Sequence, residues 1–459
     1  MKKILLLVII CCNSVFSQKQ TDKWYFGNGA ALDFGTGTPS VIASGMGGYA
    51  PSEGCSVMSD ASGNLLFYTD GVTVINKNHL QMANGSGLMG GVSSTQAALI
   101  VPQPGSNGIY YIFTTDDYGG PNGLRYSIVD MNLAAGIGSV TVKNSLLLNP
   151  STEKITAVKD PFNNRYWVVG HEWGSNVFYS YALTSTGLSV GIPSAIGTAH
   201  TGTMQNTYGQ MKFNPCGNKI ALTIGYADLW EYLDFNTNTG VVSNPMTFGF
   251  IAHVYGIEFS PDASKVYVST YNPFRTLEQF DVSSNNQSII ATTQTSLSTT
   301  IDTYGMQLAN DGKIYVVKSF SQFIGVVNSP NLLGALANYQ DMQLDVDPGF
   351  MGITAALTMP GFVQSYFMPV GFSCPVPLGV NEIAVEKQNA ILYPNPSVNG
   401  FNVLVEEPSV IKVYSYTGEL IEELKTNKTI TFGDHYSKGI YFVNVWNTGK
   451  TKSFKVVKE

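Results

Sequence analysis

One hairpin, recurring six times, limits what this chain can fold into more than any other feature. The unit is a short apolar strand, a tight turn rich in Asp, Asn, Gly and Pro, and a second apolar strand ending in Thr, Gly or another short residue. It occupies residues 55–69, 98–114, 155–170, 211–223, 257–270 and 306–317. The first apolar residues after the turns are Leu65, Ile109, Tyr166, Ile220, Val266 and Ile314, separated by 44, 57, 54, 46 and 48 residues. A period of about 50 residues is that of propeller blades. A third strand follows each copy, at 72–75, 124–129, 177–182, 229–234, 277–281 and 323–327, then a variable outer stretch, so four strands per blade is the natural count. Residues 19–373 have room for about seven such units. Six lie in the middle, so the seventh must come from both ends: 24–26 and 32–34 from the start, 353–357 and 363–367 from the finish. Closure of this kind removes exposed sheet edges. The expectation is an all-β chain with a seven-bladed β-propeller closed by its N- and C-terminal strands, six or eight blades being the near alternatives. An array of β-sandwiches would not repeat one hairpin at this period.

Composition points the same way. Of 459 residues 44% are hydrophobic and only 12% charged, with 47 glycines and 12% aromatics. That favours a large core of short strands and tight turns over long helices. Lys2 and Lys3, the apolar run 4–12 and the Val15-Phe16-Ser17 end read as an export signal cleaved after Ser17. The run is too short for a bilayer, which takes about 20 residues, and Ile9-Ile10 lacks the small residue that precedes a lipidated cysteine at 11 or 12. No later stretch is long enough to span a membrane.

Beyond the leader stand Cys55, Cys216 and Cys374, an odd number, far apart and without CxxC spacing, so buried thiols are expected, with neither a disulfide framework nor a zinc site. The formal net charge is −7 and the leader takes two lysines with it. Residues 389–459 hold eight lysines against seven acids, which leaves the acidic excess on the front body. With no basic cluster to offset it, such a body repels phosphate backbones, and nucleic acid is not an expected partner.

The chain divides into a leader (1–17), a propeller (18–373), a linker (374–388) kept extended by Pro375 and Pro377, and a last domain (389–459). In that last domain, 411–414, 439–445 and 453–457 alternate apolar and polar residues, as expected of a small Ig-like β-sandwich. Four motifs in order, Tyr393-Pro394-Asn395-Pro396, residues 413–418 ending at Gly418, residues 438–445 with Gly439 and Tyr441, and residues 453–458 with Lys455 and Lys458, resemble the C-terminal sorting domain of proteins exported by the type IX secretion system. The family more often closes on a basic pair where this chain has Lys458-Glu459. The resemblance implies passage through the periplasm, export across the outer membrane by the type IX machinery, and then release or surface attachment once the domain is removed.

Residues 24–28, 53–56, 66–71, 94–96, 152–158, 259–262 and 361–367 are similar to the propeller module of gliding-motility-associated and lactonase-like or YVTN-like proteins. That resemblance speaks to fold; propellers carry unrelated activities.

In such a ring the residues at or just before the innermost strands crowd one face. Here they are Glu53, Gln96, Glu153, Lys154, Tyr208, Tyr255 and Tyr304. Aromatic faces with polar tips around a mouth suit a glycan, a protein or another envelope component. The alternative for the Tyr-Gly pairs at 208, 255 and 304 is packing repeated by symmetry. His171 and Glu172 are neighbours in a strand and point to opposite faces; His200 and His253 both sit in connections from which they can approach each other. Residues 234–240 imitate a calcium loop, but the glycine is one position late and Pro245 stands where the closing acid belongs. No GxSxG, HExxH or Walker motif occurs, so no catalytic residue, cofactor or metal is assigned. The expected role is an exported adhesion or binding module. A secreted lactonase- or glycosidase-like hydrolase is the second reading, with Glu53 and Glu153 as its only candidate acids.

Overall fold

The computed structural model describes residues 18–42, 50–249, 253–271, 275–298, 303–349, 351–369, 390–405, 407–447 and 450–459. The leader and the linker lie outside them. Contacts divide the chain into two compact units between Cys374 and Pro375.

The first unit is a series of antiparallel meanders. A three-stranded sheet (Lys23–Phe26, Ala30–Asp33, Ser40–Val41) comes first. An eight-stranded sheet follows that is two meanders, Ser56–Ser59 to Gln81–Ser86 and Ala98–Pro102 to Ser139–Leu148, whose outer strands are joined by the Ala83–Ser139 bridge and by side-chain hydrogen bonds such as Asn84 Nδ2 to Val140 O. Next come five strands beginning with Ser151–Lys159, then three four-stranded sheets whose first strands are Met211–Phe213, Val254–Phe259 and Thr303–Leu308.

Each meander's first strand packs against the first strand of the next. The series closes on itself. Lys23–Phe26 packs against Ser56–Ser59, while Trp24 meets Tyr315 edge to face with ring centroids 5.8 Å apart. Thr21 Oγ1 donates to Asn310 Oδ1 at 2.6 Å, and Asn310 Nδ2 donates to Asp22 Oδ1 at 2.6 Å. The result is a β-propeller-like ring of small sheets. Sheets covered on both faces bury their inner strands throughout, polar residues included: every residue of Val254–Phe259 and Lys265–Thr270 is buried, whereas the outer strand Tyr339–Asp345 is not.

The finish of this unit departs from expectation. Residues 353–357 form no strand; only Thr354 bridges, to Asn28 and Gly29. Residues 363–367 are not a strand either, since Gln364–Phe367 is one 3₁₀ turn. Gly361 bridges Ser56, and Ser365 Oγ accepts from Lys159 N at 3.0 Å, so this stretch runs beside the first strands. Pro360 has no N–H for a ladder, and Phe362, Val363, Tyr366 and Phe367 are all buried, with none of the alternation of a half-covered strand. The short helix Gln287–Thr292, capped by Asn286, was also not expected in an outer position. Cys55 is a buried thiol. Cys216, expected to be another, is disulfide-bonded, its partner lying outside the described residues. Among the described residues no helix is long and apolar enough to cross a membrane.

The second unit has a three-stranded sheet (Ile391–Tyr393, Phe401–Leu404, Thr429–Phe432) and a four-stranded one (Leu420–Thr426, Ser409–Ser415, Gly439–Asn447, Lys450–Lys458). They share a core that includes Phe401, Val403, Ile411, Val413, Val443, Val445 and Val456.

Candidate functional site

The starts of the first strands converge as ring geometry demands, and small residues allow it. A Cβ on Gly54 would lie 2.0 Å from Ala97 N, so only glycine lets Glu53 sit beside the approach to Ala98–Pro102. A Cβ on Gly256 would lie 2.3 Å from the Tyr304 carbonyl oxygen. The Tyr255 and Tyr304 carbonyls accept from Thr223 Oγ1 (2.6 Å) and Ser269 Oγ (2.5 Å), hydroxyls near the ends of the second strands of the preceding meanders.

Close to these strand starts the tyrosines pack ring against ring. Tyr255 and Tyr304 lie 5.3 Å apart, Tyr271 stacks on Tyr304 at 5.3 Å, and Tyr208 meets Tyr118 edge to face at 5.4 Å. Tyr226 stacks on His253 at 4.1 Å, and His253 lies 5.3 Å from Tyr271. Tyr118, Tyr226 and Tyr271 escaped the sequence reading. Each follows a second strand, and because that strand runs antiparallel to the first, its end returns to the same face; the antiparallel pairing itself was the available signal.

Three of the expected residues are committed to the interior. Glu153 is fully buried and accepts four hydrogen bonds, from Thr95 N and Oγ1 (both 2.8 Å), Tyr118 N (3.0 Å) and Thr207 Oγ1 (3.1 Å). Lys154, also fully buried, donates from Nζ to the Thr207 and Tyr208 carbonyls at 2.8 and 2.5 Å; burial lowers its pKa, opposed by the charge of Glu153. Gln96 ties three meanders together: Oε1 accepts from Met211 N (2.8 Å) and Ile155 N (3.3 Å), and Nε2 donates to Met211 O (3.2 Å).

Gln210, not singled out from sequence, repeats the arrangement. Its Oε1 accepts from Met306 N (3.0 Å) and Ile257 N (3.3 Å), and its Nε2 donates to Met306 O (3.3 Å). Both glutamines stand just ahead of or at the approach to a first strand, a positional echo that was legible. Deeper still, Lys212 pairs with Glu258 at 3.1 Å and donates to Gln307 Oε1 at 2.6 Å.

Glu53 is different. Its pKa is pushed up to about 8, first by burial and then by the charge of Glu153, with Asp117 adding to the effect. Ser93 Oγ donates to it at a long 3.4 Å. The Tyr255 hydroxyl lies close to Glu53 and Thr95 but has no hydrogen-bond partner of good geometry among the described residues. Burial and the neighbouring acids thus favour the uncharged form of Glu53, beside the Tyr255 hydroxyl.

The histidines pair otherwise than expected. His200 meets His171, not His253: their buried rings stack at 3.7 Å. His171 Nδ1 engages the Glu172 carbonyl at 2.8 Å, while His171 Nε2 and both nitrogens of His200 have no partner among the described residues. Residues 234–240 close a hairpin, where Asn236 Oδ1 accepts from Asn238 N and Thr239 N at 2.9 and 3.2 Å.

In the second unit the motif residues anchor the last strand. Asn395 accepts from Val457 N at 2.9 Å and donates to Lys455 O at 2.8 Å. Lys458, 5% exposed, donates to Val398 O at 3.0 Å and Asp434 O at 3.3 Å. Gly418 takes φ +88° in a hairpin turn, and Tyr441 on the Gly439–Asn447 strand donates to Ser437 O at 2.9 Å. Residues 391–459 match the secretion system C-terminal sorting domain. The chain carries a type IX export address and is delivered to the cell surface or the extracellular space.

No curated protein matches the chain. Among solved structures it is similar to a protein of Lactobacillus plantarum (15% identity over 74% of this chain and 99% of that one, TM-score 0.45). It is also similar to a putative 6-phosphogluconolactonase of Bacteroides uniformis (11%, 83% and 100%, TM-score 0.38) and to Kuenenia stuttgartiensis hydrazine synthase (8%, 69% and 79%, TM-score 0.38). Likeness at this level assigns no activity.

Proposed function

We propose that the exported protein is a seven-bladed propeller, its first sheet completed by the irregular finishing segment, that binds a glycan, protein or envelope component through the tyrosine-rimmed mouth and serves adhesion. It is made with a leader (1–17), a propeller (18–373), a linker (374–388) and a removable Ig-like tail (389–459). The observation that carries the binding role is the convergence of Tyr118, Tyr208, Tyr226, Tyr255, Tyr271 and Tyr304 on one face around Glu53. Such rings bury area against a ligand while their hydroxyls stay wet.

The hydrolase reading has one feature in its favour, a protonated Glu53 of the kind a general acid requires. It also needs a second carboxylate free to act on water or substrate, and Glu153 has both oxygens engaged. A glycan array and a hydrolase panel run on the mature chain separate the two. Binding lost in Tyr208→Ala and Tyr304→Ala without turnover is expected. Turnover abolished by Glu53→Gln or Glu153→Gln would overturn the assignment in favour of the enzyme.

A further inference from the structure

Resting on that binding reading, we propose that the mouth takes a ligand presenting a positively charged amine, an ammonium or alkylated ammonium head seated on the tyrosine faces beside Glu53. The mouth already stacks hydroxyl-bearing rings, and none of the described groups that act most strongly on Glu53 is a cation. The acids that act most strongly on Glu53 are Glu153 and Asp117, and the hydrogen bond it receives from Ser93 is long. Lys154, the nearby cation, is turned to the Thr207 and Tyr208 carbonyls and compensates Glu153.

A second observation is independent of the acids. The Tyr255 hydroxyl is buried, its residue only 3% exposed, close to Glu53, and without a good partner among the described residues. A bound ammonium would give Glu53 its missing counter-charge and offer N–H or polarised C–H donors to that hydroxyl, while the rings of Tyr208, Tyr271 and Tyr304 attract a cation through their negative faces. The acidic excess of the front body steers such a ligand inward. A neutral sugar would stack on the same rings without drawing Glu53 into its ionised form.

The proposal carries a proton signature. A cation beside Glu53 favours its ionised form, so binding near pH 7 expels a proton that the free protein holds, whereas near pH 9 the carboxyl is already ionised. Glu153, Asp117, Lys154, Tyr208 and Tyr255 are the other titratable groups facing this point.

The test is calorimetric titration of the mature full chain with choline, butylammonium and the uncharged choline isostere 3,3-dimethylbutan-1-ol, in buffers of different ionisation enthalpy, alongside neutral oligosaccharides. Choline is expected to bind at least about tenfold more tightly than its isostere and to release close to one proton per site at pH 7, falling toward none at pH 9. Glu53→Gln, nearly isosteric with the protonated acid and therefore compatible with the fold, is expected to lose both the preference and the proton release; Glu53→Asp is expected to keep part of each. Equal binding of choline and isostere, or an unchanged Glu53→Gln variant, overturns the proposal. Neutral oligosaccharide binding abolished by Tyr208→Ala, with no ammonium binding, overturns it while leaving the mouth a binding site. Binding of nothing at the mouth overturns both.

Discussion

Replacing Gln210 by Leu probes the ring at its centre. The amide holds three hydrogen bonds to two neighbouring first strands, accepting from Met306 N and Ile257 N and donating to Met306 O, with Gln210 itself 3% exposed. Leucine fills a similar volume, so little cavity forms, but two buried N–H groups and one carbonyl lose their side-chain partner. Each orphaned backbone group costs roughly 1–3 kcal/mol. The two 3.3 Å contacts belong at the low end, so the expected loss is about 3–4 kcal/mol. A domain is stable by only about 5–15 kcal/mol, so this is a large fraction of the total. Chemical denaturation of the mature chain followed by tryptophan fluorescence measures it, because Trp24, Trp167 and Trp230 are buried between the sheets. Gln210→Glu is the control, since it keeps the acceptors but sets an oxygen against the Met306 carbonyl, and should also destabilise. If Gln210→Leu moves the unfolding free energy by less than about 0.5 kcal/mol, the glutamines do not tie the first strands together.

The remaining expectations follow from titration and address. Burial holds the His171 pKa down to about 3, and burial with the His171 charge holds that of His200 well below the usual value. The unfolded chain therefore binds more protons than the folded one below about pH 6.5, and stability should fall with acidification by roughly 1.4 kcal/mol per pH unit per histidine. Equilibrium unfolding at several pH values should show about half that slope in His200→Phe, and an unchanged slope would refute it. Glu53 has the opposite sign: its raised pKa stabilises fully below the unfolded value near 4.5 and is lost as pH rises through about 8. Glu53→Gln should match the parent chain at pH 4 and exceed it in stability at pH 8.5; equality at both would sink the reasoning. Deleting residues 389–459 should trap the protein in the periplasm, and fractionation that finds the shortened chain outside the cell would contradict the tail's role as export address.

How much of this was readable beforehand depends on whether a feature is periodic. Sheets that face one another across a ring must bury both sides of their inner strands, and the chain must then turn sharply on Asp, Asn or Gly, so Leu65, Ile109, Tyr166, Ile220, Val266 and Ile314 each open or nearly open a second strand. The same repetition set Glu53, Gln96, Glu153, Tyr208, Tyr255 and Tyr304 at or near the starts of first strands. Their individual fates were not readable, since they rest on partners from other meanders: Thr207 and Tyr118 complete the shell of Glu153, while Glu53 has Ser93 and the nearby Tyr255 hydroxyl. Features that occur once left no period to detect. Residues 359–367 fill space beside the first strands without a ladder, and the His171–His200 stack joins a strand to a connection 29 positions away. A ring built from near-equal parts thus declares its repeats in the sequence, while its distinguishing chemistry sits in the places where one part differs from the next. Glu53 is the clearest such place, a largely buried carboxyl with one long hydrogen bond from Ser93 while the acid beside it accepts four.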